Sequence, residues 1–254
     1  MTNLEEILQE FEPISLNEME SVKLMNRIDT KYVVPLEQLA SILKKSQNAY
    51  YAQETNGKRI ATYDTLYYDT EDLDMYRRHH DRQLVRQKIR VRQYVESHLY
   101  FLEIKRKSNK GRTKKKRISL PAPSITKPTD EIKDFIASKS RYTYEEISPK
   151  LRTSFRRITL VNKDKTERLT IDLDLLFMNR ITGLTKIYPN LVIIELKRDG
   201  NAFSPMLGIM LEERVHPFKV SKYCIGTALT NHNIKTNRFK NKIRMIEKKL
   251  GINN

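Results

Sequence analysis

Residues 87–107, QKIRVRQYVESHLYFLEIKRK, decide how the chain is read. Successive side chains of a strand point to opposite sides of its sheet. In 87–94 that alternation puts Lys88, Arg90 and Arg92 on one face and Ile89 and Val91 on the other. In 100–107 it sets Glu103, Lys105 and Lys107 against Leu102 and Ile104. Residues 95–98 are short enough for a hairpin loop, so the two charged faces are expected to be neighbours. A sheet with one wet face would account for a single hairpin of this kind. The pattern recurs, however. Arg168, Thr170, Asp172 and Asp174 share a face opposite Leu169, Ile171 and Leu173, and Glu195 and Lys197 alternate with Ile194 and Leu196. Arg27, Asp29 and Lys31 likewise share one side of a strand.

Composition sets the outer limits. The chain has 254 residues, with 48 Lys and Arg against 31 Asp and Glu, a formal charge of +17. The mean hydropathy is −0.63, yet apolar residues are spread throughout, which excludes a disordered chain. No apolar run approaches the ~18 residues of a membrane span. The N-terminal MTNLEEILQEF is acidic and amphipathic, unlike a secretory signal. A single cysteine, Cys224, excludes an internal disulfide and fits a reducing, cytoplasmic setting. The positive charge calls for a polyanion: nucleic acid, an anionic membrane surface or a phosphate compound. RNA is disfavoured, because the charges lie mid-strand and no stacking motif accompanies them.

Helices are predicted at 3–11, 16–24 (Ser15 capping, with Glu18 as its partner), 35–46, about 73–80, 129–139, 205–215, 221–230 and 239–250. Strands are predicted at 27–34, 60–68, the central pair, 114–120, 150–160, 167–175 and 191–197, with a less regular one at 180–187. The basic run NKGRTKKK, 109–116, is a loop turning at Gly111 into a strand that carries Lys114 and Lys116 on one face. One domain, 1–254, is expected: helices in 1–25, a sheet region in 26–230 and a basic C-terminal helix in 231–254. The fold class is α+β. If the amphipathic helices cover the oily strand faces from outside, the charged faces line a closed or nearly closed sheet. Such a lumen is costly in low dielectric unless something fills it. A polyphosphate chain with a divalent metal would do so, its phosphoryl groups held by Arg and Lys and its metal by carboxylate.

These motifs together resemble the triphosphate tunnel metalloenzymes, and more closely the polyphosphate polymerase domain of the vacuolar transporter chaperone (VTC) type. The matching pieces are Lys31 in DTKYVV, Arg90-x-Arg92, Glu103-Ile-Lys105, the lysines around 114–116, Arg152 in LRTSF, Arg168 in ERLTIDLDL, Glu195 in VIIELK, and Lys219-Val-Ser-Lys222. The resemblance implies an eight-stranded antiparallel tunnel barrel with helices outside. It implies transfer of the terminal phosphoryl of ATP to a growing polyphosphate, assisted by Mn or Mg. Carried over, the phosphate-binding residues are Lys31, Arg90, Arg92, Lys105, Arg152, Arg168, Lys219 and Lys222, with Lys114 and Lys116 as further candidates. Glu195 is the implied metal ligand, with Glu103 and Asp172 as weaker ones. The hydrolase branch opens on Glu-x-Glu-x-Lys, whereas this chain has Arg27-x-Asp29-x-Lys31, which favours transfer over hydrolysis. Metal-dependent triphosphate hydrolysis and non-catalytic polyphosphate binding remain as alternatives, as does work beside a separate membrane protein. His79 and His80 read as helix-surface residues, Tyr67 and Tyr68 as wall packing, and Cys224 as a buried helix residue. No His/Cys group has zinc spacing.

Overall fold

The two-faced strands join edge to edge in the computed structural model, which describes residues 2–20, 22, 27–200 and 202–252. The strands are β1 (Glu12–Ile14), β2 (Arg27–Pro35), β3 (Tyr50–Gln53), β4 (Ala61–Asp69), β5 (Arg86–Tyr94), β6 (Leu99–Lys107), β7 (Thr113–Leu120), β8 (Ser148–Asn162), β9 (Glu167–Asn179), β10 (Thr185–Tyr188) and β11 (Leu191–Asp199). The helices are α1 (Thr2–Gln9), α2 (Leu16–Glu20), α3 (Leu36–Ser46), α4 (Asp74–His80), α5 (Asp130–Lys139), α6 (Pro205–Glu212), α7 (Lys222–Thr230) and α8 (Asn237–Lys249). Eight strands run in the order β2-β11-β9-β8-β4-β5-β6-β7, each antiparallel to its neighbours. The short strands β3, β1 and β10 are appended at β8, β3 and β9.

One face of this sheet is apolar and takes the helices. Tyr32, Val34, Leu169, Ile171, Val192 and Ile194 pack against Leu39, Ile42 and Leu43 of α3 and Met206 and Met210 of α6. Ile89, Val91, Leu102 and Ile104 pack under Ile132 and Ile136 of α5. Burial of a residue such as Leu43 or Ile104 is worth about 1.5–3 kcal/mol, which holds these helices outside. The result is a curled antiparallel half-barrel. Its two ends, β2 and β7, share no ladder among the described residues.

Helix α7 crosses the concave side. Its Gly226 lies against Phe177 and Leu151, and its Tyr223 stacks on Tyr67 at 5.1 Å between ring centroids. A bulge creates this seat. Asp174 is left-handed (φ 51°), and the β8–β9 register shifts between Ser154 and Arg156. Past the bulge the parity of β9 flips, so Leu175 and Phe177 face inward where alternation from Leu173 would turn them out. Local caps are as the residue types require. Asp69 accepts the amide N–H groups of Met75 and Tyr76 at 2.9 Å each, and Thr129 and Ser221 cap α5 and α7.

The helix predicted at 16–24 is α2 in the described residues; its remainder, apart from Val22, lies outside them. The strand predicted at 180–187 contracts to β10, because a turn at Gly183 (φ 74°) occupies its first half. No helix among the described residues is long and apolar enough to cross a membrane.

Candidate functional site

Register fixes which side chains share the concave face. Along β5 and β6 the pairs are Lys88 with Lys105, Arg90 with Glu103, and Arg92 with Phe101. Lys105 and Glu103 pair onward with Lys115 and Arg117 of β7. On the other half, Lys31 pairs with Glu195, Asp172 with Ile193, and Arg168 with Lys197. Arg157 of β8 faces Asp172.

The three interior carboxylates are held differently. Glu103, 1% exposed, takes Arg90 at 2.6 and 2.8 Å and Lys115 at 2.9 Å. Asp172 takes both Nε and Nη2 of Arg157, at 2.6 and 2.9 Å, and an ion pair from Lys222. Burial would raise both carboxyls, but the adjacent cations hold them well below the usual carboxylate range. Glu195 is also held low, by Lys31, Lys197 and Lys105 against burial. Its contacts are looser, 3.3 Å to Lys197 and 3.7 Å to Lys31.

Cations from the two ends of the sheet sense one another. Burial depresses the Lys105 ammonium to about 8; Glu195 opposes this, while Lys31, Lys88 and Arg90 add to it. Lys222 is likewise depressed to about 8 by burial, against the pull of Asp172. Lys105 lies on β6 and Glu195 on β11, near opposite ends of the strand path. Only a curled sheet brings them within electrostatic reach, so the interior is shared. Burial also lowers Arg92, with Arg90 adding to the effect. The Nε of Arg92 and the hydroxyls of Thr65 and Thr170, all buried on this face, have no partner within the protein. Tyr67 would be raised by burial, yet Arg90, Arg92, Lys88 and Lys222 bring its phenol down to about 8. Partly buried cations in excess, beside orphaned donors, are an arrangement suited to an anion.

Of the residues singled out from sequence, the structure brings Lys31, Arg90, Arg92, Lys105, Arg168, Lys222, Glu103, Asp172 and Glu195 to this face. Lys219 is exposed and lines a cavity of about 530 Å³ at one mouth, with Lys31, Arg86 and Lys242. The expected inward positions of three others are corrected. Arg152 is on the outer face, exposed and paired with Asp64 at 2.7 Å. Lys114 and Lys116 are exposed on the side of Ile118 and Leu120, while Lys115 and Arg117 occupy the interior register. The β8 arginine inside is Arg157. Sequence reading passed over it, although it has the parity of Phe155 and Thr159. Among the described residues no three of His, Cys, Asp and Glu gather as a metal group. Asp172 and Glu103 are saturated by cations, so neither fits a metal-ligand role; Glu195 alone has the slack for one.

A helix-backed antiparallel half-barrel with a cationic concave face defines an α+β protein whose interior suits a polyanion. Its family can be stated more narrowly: the VTC domain profile matches residues 26–231, and the chain belongs to that family. No curated protein matches the chain in sequence. Among solved structures, a candidate adenylyl cyclase from Hippeastrum with a dominant triphosphatase activity is similar at 13% identity and a TM-score of 0.48, over 82% of this chain and 98% of that one. A candidate adenylate cyclase from Vibrio parahaemolyticus is similar at 7% identity and a TM-score of 0.46, over 80% and 99%.

Proposed function

We propose that the protein transfers the terminal phosphoryl group of ATP to a polyphosphate chain lying along the concave face, with Mn or Mg assisting. The observation that supports this reading is that the start of α7 joins cations of both halves inside the sheet: Lys88 of β5 donates to Ser221 at 2.7 Å, and the adjacent Lys222 pairs with Asp172 of β9. A row of phosphoryl groups supplies the missing negative charge along its whole length. The attacking oxygen of a polyphosphate end is ionised at neutral pH, so no general base is required. Arg90, Arg92, Lys105, Arg157 and Lys222 have to align donor and acceptor and stabilise the charge on the equatorial oxygens, which is most of what phosphoryl transfer asks of a protein. Glu195 would hold the metal, whose remaining ligands would be phosphate oxygens and water. Bound there, it would neutralise charge on the transferring and leaving phosphates.

The test is incubation of purified protein with ATP and Mn, followed by separation of acid-stable polymer from free phosphate. Polymer supports the reading. Phosphate without polymer assigns hydrolysis, and tripolyphosphate binding without turnover assigns a binding module. Chelation of the metal, or Glu195→Ala, is expected to stop turnover while tripolyphosphate still binds.

A further inference from the structure

The interior is not uniform along its length. On β5 the inward side chains run Arg86, Lys88, Arg90, Arg92 and then Tyr94. Their partners on β6 run Lys107, Lys105, Glu103, Phe101 and Leu99. Both strands thus pass from charge to ring in the same direction. At the ring end a second cavity, about 630 Å³, opens among Tyr63, Tyr94, Phe101, Arg117, Arg157 and Arg168. Its volume falls within the ~300–1,000 Å³ of small-molecule sites. The cavity at the other end holds Lys31, Arg82, Arg86, Lys219 and Lys242 around Phe239. A polyphosphate needs only cations. The ring end offers something a polyphosphate cannot use.

We infer that this end is a nucleobase site, the base of a nucleoside triphosphate stacking on the exposed outer plane of the Arg117 guanidinium, whose inner plane Phe101 backs. This rests on the ATP-dependent reading above. Phe101 and Tyr94 meet edge to face, with centroids 5.7 Å apart at 83°. Both are only partly buried and line the cavity. Arg117 is exposed, and its guanidinium lies 4.5 Å from the Phe101 centroid. Aromatic faces and arginine planes are the two surfaces on which bases stack. Tyr63 cannot serve, because Phe155 stacks on it at 5.5 Å and the Arg157 over it is tied to Asp172 and mostly buried, leaving no open plane. The Thr170 hydroxyl, on a residue 6% exposed, lines the same cavity with no partner. Spacing fits as well. Along β5, Arg92 and Arg90 lie two and four residues from Tyr94, roughly 7 and 13 Å. A base at the rings therefore lays its ribose toward Arg92 and its phosphates toward Arg90. Stacking reads no base edge, so the site would accept any nucleobase with little preference.

The experiment measures affinities of ATP and of base-free tripolyphosphate for the unaltered protein and for Phe101→Ala, Phe101→Tyr and Arg117→Ala. Phe101→Ala is expected to weaken ATP by about 5- to 100-fold and leave tripolyphosphate within about twofold. Phe101→Tyr should retain ATP affinity. Arg117→Ala, at an exposed position that cannot unfold the sheet, should cost ATP more than it costs tripolyphosphate. Unchanged ATP affinity in Phe101→Ala and Arg117→Ala, or equal losses for both ligands, overturns the base site. If the unaltered protein binds tripolyphosphate but not ATP, the base site fails while the anion interior stands. If it binds neither, the interior reading fails and the base site with it.

Discussion

Replacing Glu103 by Gln should move stability and anion affinity in opposite directions. Glu103 is buried between Arg90 and Lys115, with Arg92 close enough to affect it. Removing one partner of a buried ion pair costs about 3–5 kcal/mol. Glu103→Gln should fall near the lower end, because the amide oxygen still accepts from one cation. For a chain of this size each kcal/mol shifts the melting temperature by about 2–4 °C, so a drop of roughly 6–12 °C is expected. A bound phosphoryl, in contrast, no longer meets a carboxylate charge. At about 7–10 Å and an effective dielectric near 20, that repulsion is about 2 kcal/mol, so tripolyphosphate should bind about 10- to 30-fold more tightly. The assays are thermal melts without ligand and titration calorimetry with tripolyphosphate, with and without Mn. A variant that melts as the parent does, or binds tripolyphosphate more weakly, refutes the assignment of Glu103 as a counter-ion. Weaker binding in Mn alone would make it a metal ligand.

Three other outcomes follow from the same geometry. Arg157→Ala and Lys115→Ala should each weaken tripolyphosphate by about 10-fold or more, the worth of a charged hydrogen bond; Arg152→Ala and Lys114→Ala should leave it within about twofold, and titration calorimetry separates the sets. Lys105 and Lys222, depressed to about 8, lie below the ~10.4 of an unfolded lysine. Between those values the unfolded chain holds protons that the folded one has released, so stability rises with pH. Tyr67, also at about 8, acts in the same sense, while the raised Cys224 thiol opposes it. The ligand-free melting temperature should therefore climb from about pH 7.5 to about 9.5, and saturating tripolyphosphate should flatten the climb; a ligand-free profile that falls over this range contradicts the frustrated interior. Gly226→Ala would place a methyl 2.5 Å from Phe177 Cδ1 and 2.8 Å from Leu151 Cδ2, and thermal melts should show a loss of about 1–3 kcal/mol as α7 lifts from its seat.

Much of this was legible in alternation. On β5, β6, β9 and β11 one side of each strand is apolar, so the charged side declares itself, and Arg90, Lys105, Asp172 and Glu195 read correctly as sharing a face. Reading failed where that contrast is absent. In Lys114-Lys115-Lys116-Arg117 every side chain is a cation, and only counting back from Ile118 and Leu120 reveals that Lys114 and Lys116 face out. Strand β8 misleads in another way. Its inward side chains, Leu151, Thr153 and Phe155, are apolar or small because α7 covers them, while Ile158 and Leu160 are apolar on the opposite face. Apolar therefore means inside in one half of that strand and outside in the other, which hid Arg157. The bulge at Asp174 that seats α7 leaves no signature in RLTIDLDLLFMN, since Asp at a positive φ is sequence-permitted but not sequence-required. The ring end of β5 and β6 was in plain view as Tyr94 and Phe101, but their shared register needed the pairing of Arg92 with Phe101.

The most direct measurement is a crystal structure with tripolyphosphate bound. Its phosphoryl groups should sit on the concave face within hydrogen-bond reach of Arg90, Arg92, Lys105 and Lys222. Density lodged instead on the outer cations Lys114, Lys116 and Arg152, with the concave face empty, would contradict the central claim.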